Sequence, residues 1–362
     1  MFRVGVFAPY CRSEVTLAAT QFADWLIALG FDVSFLAEGK VNKGVHPVWD
    51  NRVVRYKNPE SVYRWACGAT HLCWFSPNIR AFEEALVVLP VNQKKFTRQF
   101  YFPSWHNWNK DSATLMGAVG RVICLSRDMF MWLKNEIPIT LFNSVFQDKR
   151  TWSNLADPSV VYSPRLGFMD NDTIRLLIIL PRTVYTDIGC EIFELFEFLL
   201  ASYENLKLTL LLEASWPKLY RRKVNKLIKT HGSRLSVIQS PPYYEYSYHI
   251  RNNDWVYVCS TRHSFGSLLS MVASDNVPVI AHDVPPVGGH FQDKVNAKLI
   301  RCELTFDSYP VARVTLDDIA EGLDSALCED SVGLEALQLQ AINATKRRQT
   351  AFKEMIEKEF IG

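Results

Sequence analysis

The chain has 362 residues, more than one ordinary hydrophobic core accommodates and a good fit to two domains of average size. Its 48% hydrophobic and 22% charged residues are those of a globular protein and exclude a disordered or collagenous one. A formal net charge of +2 excludes a chain that binds polyanions through its overall charge, so any nucleic-acid contact has to come from local patches.

The opening, MFRVGVFAPYCRSE, reads as a short apolar strand, without the apolar stretch and cleavage site of a signal peptide. FRVGVFA (2–8) has the pattern of a buried parallel strand, and EVTLAATQFADWLIALG (14–30) that of a long helix capped by Gly30. Strands are predicted at FDVSFLA (31–37), THLCWFS (70–76) and QFYFPSW (99–105), then a helix around 111–119. RVICLS (121–126) is a further buried strand, followed by a helix at 127–135 and a short strand, PITLF (138–142). This alternation is that of a doubly wound α/β domain.

Residues 146–172 are polar, carry Pro and Asp, and predict a linker. The alternation then restarts with a strand at TIRLLIIL (173–180), a helix at 189–204, a strand at LKLTLLLEA (206–214) and a helix at 218–232. Strands follow at LSVIQS (235–240) and DWVYVCS (254–260), then a turn, TRHSFG, a helix, SLLSMVASD, and a buried strand, NVPVIA. The remaining tail is helical. No run approaches the roughly 18 apolar residues of a membrane span. The eight cysteines form no CxxC and several sit in strand-like runs, which predicts buried free thiols in a reducing, cytoplasmic setting. The architecture is two Rossmann-like domains in tandem, 1–160 and 161–345, with the cleft between them as the ligand site. The turn before SLLSMVASD suits a phosphate, because helix N-termini present unpaired N–H groups and partial positive charge, and Gly266 permits close approach.

HSFGSLLSMVASDNVPVIA resembles the nucleotide-sugar site of GT-B glycosyltransferases, above all the retaining family-4 group. Phe265, Gly266, Pro278, Val279, Ile280 and Ala281 match that pattern. His263 stands in place of its first Glu, Met271 in place of its second, and Asn276 in place of a usual Gly, so the Glu-x7-Glu motif is degenerate. The opening strand, loop and helix are similar as well, with Cys11-Arg12-Ser13 replacing a Gly-Gly loop. Asn143 stands at a familiar Asn-Gly position, and LIILPRTVYTDIG resembles the segment that brings an Arg and a Lys to the diphosphate. Arg182 matches; no Lys follows it at the expected spacing. The final helix, 346–362, resembles the segment that returns to the first domain.

The resemblance implies a GT-B fold and transfer of a sugar from a UDP- or GDP-sugar, retaining and without metal or other cofactor. The donor-binding residues it points to are Arg182, Arg262, His263, Ser264, Phe265, Gly266 and Ser267. Inverting family-1 enzymes carry a phosphate-binding His at the spacing of His263 and an acidic-Gln-x-x-Asn-Ala stretch downstream, to which Gln292-Asp293-Lys294-Val295-Asn296-Ala297 is similar. Met271 cannot accept the ribose hydrogen bonds of the family's second Glu, a loss of roughly 1.5–3 kcal/mol unless another group replaces it.

On the acceptor side, KKFTRQFYFPSWHNWNK (94–110) interleaves basic and aromatic residues. His106 follows a strand end, where family members place a His facing the donor sugar; a structural histidine is the alternative. Glu14 is either a general base, if transfer inverts, or a helix N-terminal charge. Arg12, Ser13, Lys94, Lys95, Trp105 and Trp108 are the candidate acceptor contacts, the two tryptophans serving as stacking surfaces or as packing. The acceptor is a saccharide or lipid-linked saccharide, or alternatively DNA carrying a hydroxymethylated base reached by flipping. A degenerate GT-B binding or scaffold protein is the reading from a different class. An NAD-type enzyme is disfavoured because no GxGxxG follows the first strand.

Overall fold

Runs that are apolar at consecutive positions become strands buried on both faces, as parallel sheets require. The computed structural model describes residues 2–11, 13–38, 41, 46, 48–75, 79–89, 97–104, 112, 116, 118–135, 150–158, 173–181, 184, 188–213, 217–263, 266–306 and 310–362. The chain divides into two units: residues 1–159 with 264–270 and 347–362, and residues 160–263 with 271–346.

The first unit holds a seven-stranded sheet of β1 (Arg3–Pro9), β2 (Asp32–Glu38), β3 (Val53–Arg55), β4 (His71–Phe75), β5 (Arg98–Phe102), β6 (Arg121–Cys124) and β7 (Arg150–Trp152). Their order is β3-β2-β1-β4-β5-β6-β7, parallel throughout. Between them run α1 (Glu14–Ala28), α2 (Pro59–Ala66), α3 (Ile79–Val88) and α4 (Arg127–Asn135). Helix α2, which periodicity does not reveal, is announced by its cap. Asn58 Oδ1 accepts the Ser61 N–H at 3.0 Å, Ser61 Oγ accepts the Asn58 N–H at 3.3 Å, and Pro59 opens the helix. β3 has three residues, too few to show a period.

The predicted linker needs correction at its start. Arg150–Trp152 is the edge strand β7, paired with β6 from Val122↔Arg150 to Cys124↔Trp152. Leu155 and Ala156 are buried beside it, and Trp25 Nε1 donates to the Ala156 carbonyl at 2.7 Å. A short polar strand held by main-chain pairing leaves no hydrophobic signature. The predicted strand at 138–142 and most of the predicted helix at 111–119 lie outside the described residues.

Aromatic rings fill the first unit. Phe75 and Phe102 stack at 4.1 Å, and Phe22 meets Phe102 at 4.8 Å. The C-terminal helix adds Phe360, stacked on Phe100 at 4.4 Å and on His71 at 5.1 Å, and Phe352 against Trp25 at 5.9 Å.

The second unit repeats the winding. β8 (Ile174–Leu180), β9 (Leu206–Leu212), β10 (Leu235–Gln239), β11 (Trp255–Val258), β12 (Val279–His282) and β13 (Ala297–Ile300) form a parallel sheet in the order β10-β9-β8-β11-β12-β13. A small antiparallel pair, β14 (Glu303–Phe306) and β15 (Pro310–Arg313), follows. The helices are α5 (Ile192–Ser202), α6 (Lys218–His231), α7 (Tyr243–Arg251), α8 (Ser267–Ser274), α9 (Leu316–Leu327) and α10 (Ser331–Phe360). One sheet face, carrying Ile174, Leu176, Ile178, Leu206, Leu208 and Leu210, packs with Phe196, Leu199, Val224, Leu227 and Leu323 of α5, α6 and α9. Helices α8 and α10 each begin in one unit and end in the other. Among the described residues no helix is long and apolar enough to cross a membrane.

Truncating Phe360 to Ala removes a ring that touches Phe100, His71, Phe22 and Phe31. The expected loss is about 3–5 kcal/mol of stability in the first unit, read as a lower urea midpoint of its aromatic signal.

Candidate functional site

In an open parallel sheet the crevice opens beyond the carboxyl ends of the two strands where the winding direction reverses. In the second unit those strands are β8 and β11. The two ends are tied together: the Cys259 N–H donates to the Ile179 carbonyl at 3.1 Å. β8 leads into Pro181 and then Arg182, which lies outside the described residues, as do Thr183 and Tyr185. β11 leads into Cys259-Ser260-Thr261-Arg262-His263 and then α8.

The loop after β11 is held from behind by side chains that the sequence reading did not single out. His282, the last residue of β12, is fully buried. Its Nδ1–H donates to the Ser260 carbonyl at 2.9 Å, and its Nε2 accepts from the Tyr257 hydroxyl at 2.8 Å. Burial keeps the ring neutral, so with Nδ1 donating to a carbonyl, Nε2 is left to accept. Burial, aided by nearby His263 and opposed by the Ser260 carbonyl and Asp318, pushes its pKa down to about 4. Ser260 Oγ donates to the Arg262 carbonyl at 2.6 Å, and the Ala312 N–H donates to the Thr261 carbonyl at 2.8 Å. The main chain from 260 to 262 is therefore fixed on three sides. The available signal was a titratable residue closing the apolar run VPVIAH.

His263 is 3% exposed, Arg262 is half-buried, and Gly266 has φ +70°, a left-handed conformation that favours glycine. The Ser270 N–H closes the first turn of α8 on the Gly266 carbonyl at 2.8 Å. That leaves the first N–H groups of α8 without intrahelical acceptors, a setting for an anion. Ser264 and Phe265 lie outside the described residues. Ser267 Oγ donates to the Glu14 carbonyl at 2.9 Å, and the Ser267 carbonyl accepts from Gln21 Nε2 at 3.4 Å. Two candidate site residues far apart in sequence thus meet within the first unit, through the main chain of one and the hydroxyl of the other. The Ser267 hydroxyl is committed there, so what this residue offers a ligand is its N–H.

Met271 is 5% exposed and sits within α8 as a core side chain. Asn276 has φ +57°, which explains how it stands at a position where the resembling pattern carries Gly: Asn is the non-glycine residue that best tolerates this region. Gln292 to Ala297 forms a turn. Asn296 Oδ1 accepts the Gln292 N–H at 2.6 Å, and Asp293 Oδ1 accepts the Leu299 N–H at 2.9 Å.

In the first unit Ser13 is the N-cap of α1, its Oγ accepting the Thr16 N–H at 3.3 Å, and Glu14 is the acidic residue of the first turn. Arg12, Lys94, Lys95, Trp105, His106 and Trp108 lie outside the described residues.

No protein-family model and no curated protein matches this sequence. Solved structures share its fold. Anabaena HepE in complex with UDP superposes with a TM-score of 0.69 at 11% identity, over 99% of each chain. A glycosyltransferase from Rickettsia africae ESF-5 gives 0.67 at 11% identity, over 99% of this chain and 98% of that one. An alpha-glucosyltransferase in complex with UDP and a 13-mer DNA containing an HMU base gives 0.67 at 10% identity, over 98% of each. The likeness at these identities is one of fold, and the fold is GT-B, two Rossmann-like units.

Because His282 is harder to protonate in the folded chain (about 4) than in the unfolded one (6.5), the unfolded state binds the extra proton between those values. The stabilisation is complete above about pH 6.5 and drains away as pH falls towards 4, by roughly 3 kcal/mol. Urea unfolding at pH 7.5 and 4.5 should show this loss in the wild type, and His282→Gln should flatten its share of the slope.

Proposed function

We propose that the chain is a glycosyltransferase that takes a UDP-sugar and transfers the sugar, with retention and without a metal, to an acceptor hydroxyl in the cytoplasm. The observation that carries this reading is the junction after β11. The loop that leaves β11 at the reversal point of the second sheet ends in a buried His263, and the chain then runs on into a left-handed Gly266 and the start of α8. The leaving group is a diphosphate that gains negative charge as the sugar departs. Stabilising it takes N–H and cationic donors aimed at its oxygens. His263, Arg262, the first N–H groups of α8 and Arg182 from the loop after β8 supply them. Likeness in fold to UDP-bound proteins favours UDP over GDP.

In this reading Met271 contributes apolar packing in place of a ribose acceptor, so the ribose is gripped by main-chain groups or by other residues. His106 is the proposed catalytic group for transfer with retention, Glu14 the general base should transfer instead invert, and Arg12, Ser13, Lys94, Lys95, Trp105 and Trp108 are the proposed acceptor contacts. A saccharide or lipid-linked saccharide is the first acceptor. DNA with a hydroxymethylated base is the second, supported by the basic-aromatic stretch 94–110 and by the fold shared with the DNA-bound alpha-glucosyltransferase.

UDP should raise the melting temperature, and His263→Ala should weaken UDP binding by about 10- to 100-fold, the value of a hydrogen bond to a charged group. Met271→Ala should leave affinity within a few fold; equal effects of the two would remove the phosphate role from His263. If neither UDP nor GDP shifts the melting temperature at millimolar concentration, the chain is a binding or scaffold protein. A salt-dependent affinity for DNA, weakened in Lys94→Ala/Lys95→Ala, would select the DNA acceptor.

A further inference from the structure

The second sheet has two unlike faces. One is the leucine-rich core face. The other, near the amino ends of the strands, carries Arg175 of β8 and Lys207 of β9 as direct cross-strand partners. In-register neighbours on adjacent strands point to the same side, about 5 Å apart, and like charges so placed repel. The next rung on that side is Leu177, Thr209 and Ser236. A cavity of about 360 Å³ is lined by Arg175, Lys207, Thr209 and Ser236, with Arg234, His249 and Asn252 in its wall, and among the described residues no carboxylate lines it.

Several basic residues elsewhere on this unit are paired with carboxylates. Lys223 and Lys226 of α6 pair with Glu194 and Glu197 of α5, and Arg251 pairs with Asp275 at 2.7 Å. Among the described residues neither Arg175 nor Lys207 has an ion-pair partner. The carboxylate of Asp254, close in the chain to Asn252, accepts the Arg175 main-chain N–H at 2.8 Å. Arg234 is held by main-chain acceptors, its Nη1 donating to the carbonyls of Tyr203 at 3.0 Å and Glu204 at 3.3 Å. His249 is held below its ordinary pKa chiefly by burial, with Glu245 opposing.

We propose that this cavity is a second anion site, built for a small phosphate-bearing ligand such as a diphosphate or a sugar phosphate. Three cations, two of them side by side on the sheet, face a space larger than one phosphate, with the Thr209 and Ser236 hydroxyls as further donors. A bound anion relieves the repulsion between Arg175 and Lys207. The site lies at the amino ends of the strands, while the loops after β8 and β11 leave from the carboxyl ends, so the two are separate.

The test is calorimetric titration of the full chain with inorganic pyrophosphate at constant ionic strength. Lys207→Glu should remove one class of binding or weaken it at least tenfold. It gives Arg175 a carboxylate neighbour, so the melting temperature without ligand should hold or rise. Arg175→Thr should also lose the binding; if that variant does not fold, Lys207→Glu decides alone. His263→Gln should leave this class intact, which separates it from the donor site. A pyrophosphate isotherm in Lys207→Glu that superimposes on the wild type overturns the proposal. So does variant-sensitive binding of a short DNA oligonucleotide without binding of pyrophosphate, which would make the groove a nucleic-acid track.

Discussion

All strands within each of the two large sheets run in one direction, and crossovers between parallel strands are right-handed. A chain that winds outward from β1 to β3, or from β8 to β10, must return to the middle and wind the other way. At that return two loops leave neighbouring strand ends in opposite directions and no helix covers the gap. The position of the candidate donor loop follows from this constraint before any side chain is considered. The side chains then decide what the gap accepts.

What they supply in the second unit is rigidity. A loop that is to present N–H groups to an anion has to resist turning its carbonyls inward. The Ser260 carbonyl is taken by His282, the Thr261 carbonyl by Ala312, and the Arg262 carbonyl by Ser260 Oγ. Three successive acceptors are thereby withdrawn from the ligand side. A neutral His282 serves this purpose where a charged one would add a buried cation beside His263.

The strands of both sheets were legible where they are apolar throughout, as in FRVGVFA, TIRLLIIL and DWVYVCS, because burial on both faces writes itself as an unbroken run. β3 and β7 were not, since short edge strands are held by main-chain pairing and carry no such run. The glycine at 266 was legible as a turn residue and is one. Asn276 was legible only as a departure, and its backbone angle turns the departure into a conservative choice. The support from Tyr257 and His282 escaped notice because it is made between residues 25 apart on adjacent strands, a relation that pairing register reveals and spacing does not. The Arg175–Lys207 pair was hidden for the same reason: each is an unremarkable basic residue at a strand start until register sets them side by side.

The rings of Phe352 and Phe360 complete a core whose other members come from residues 22 to 102. During synthesis the first unit therefore emerges from the ribosome without part of its interior. Until residue 360 is free of the exit tunnel, the apolar faces of Phe22, Phe31 and Phe100 wait for their partners. The second unit, made of a nearly continuous stretch, can assemble in the meantime. The half made first is the half that finishes last, and its unpaired aromatic surface is what a nascent-chain chaperone would meet.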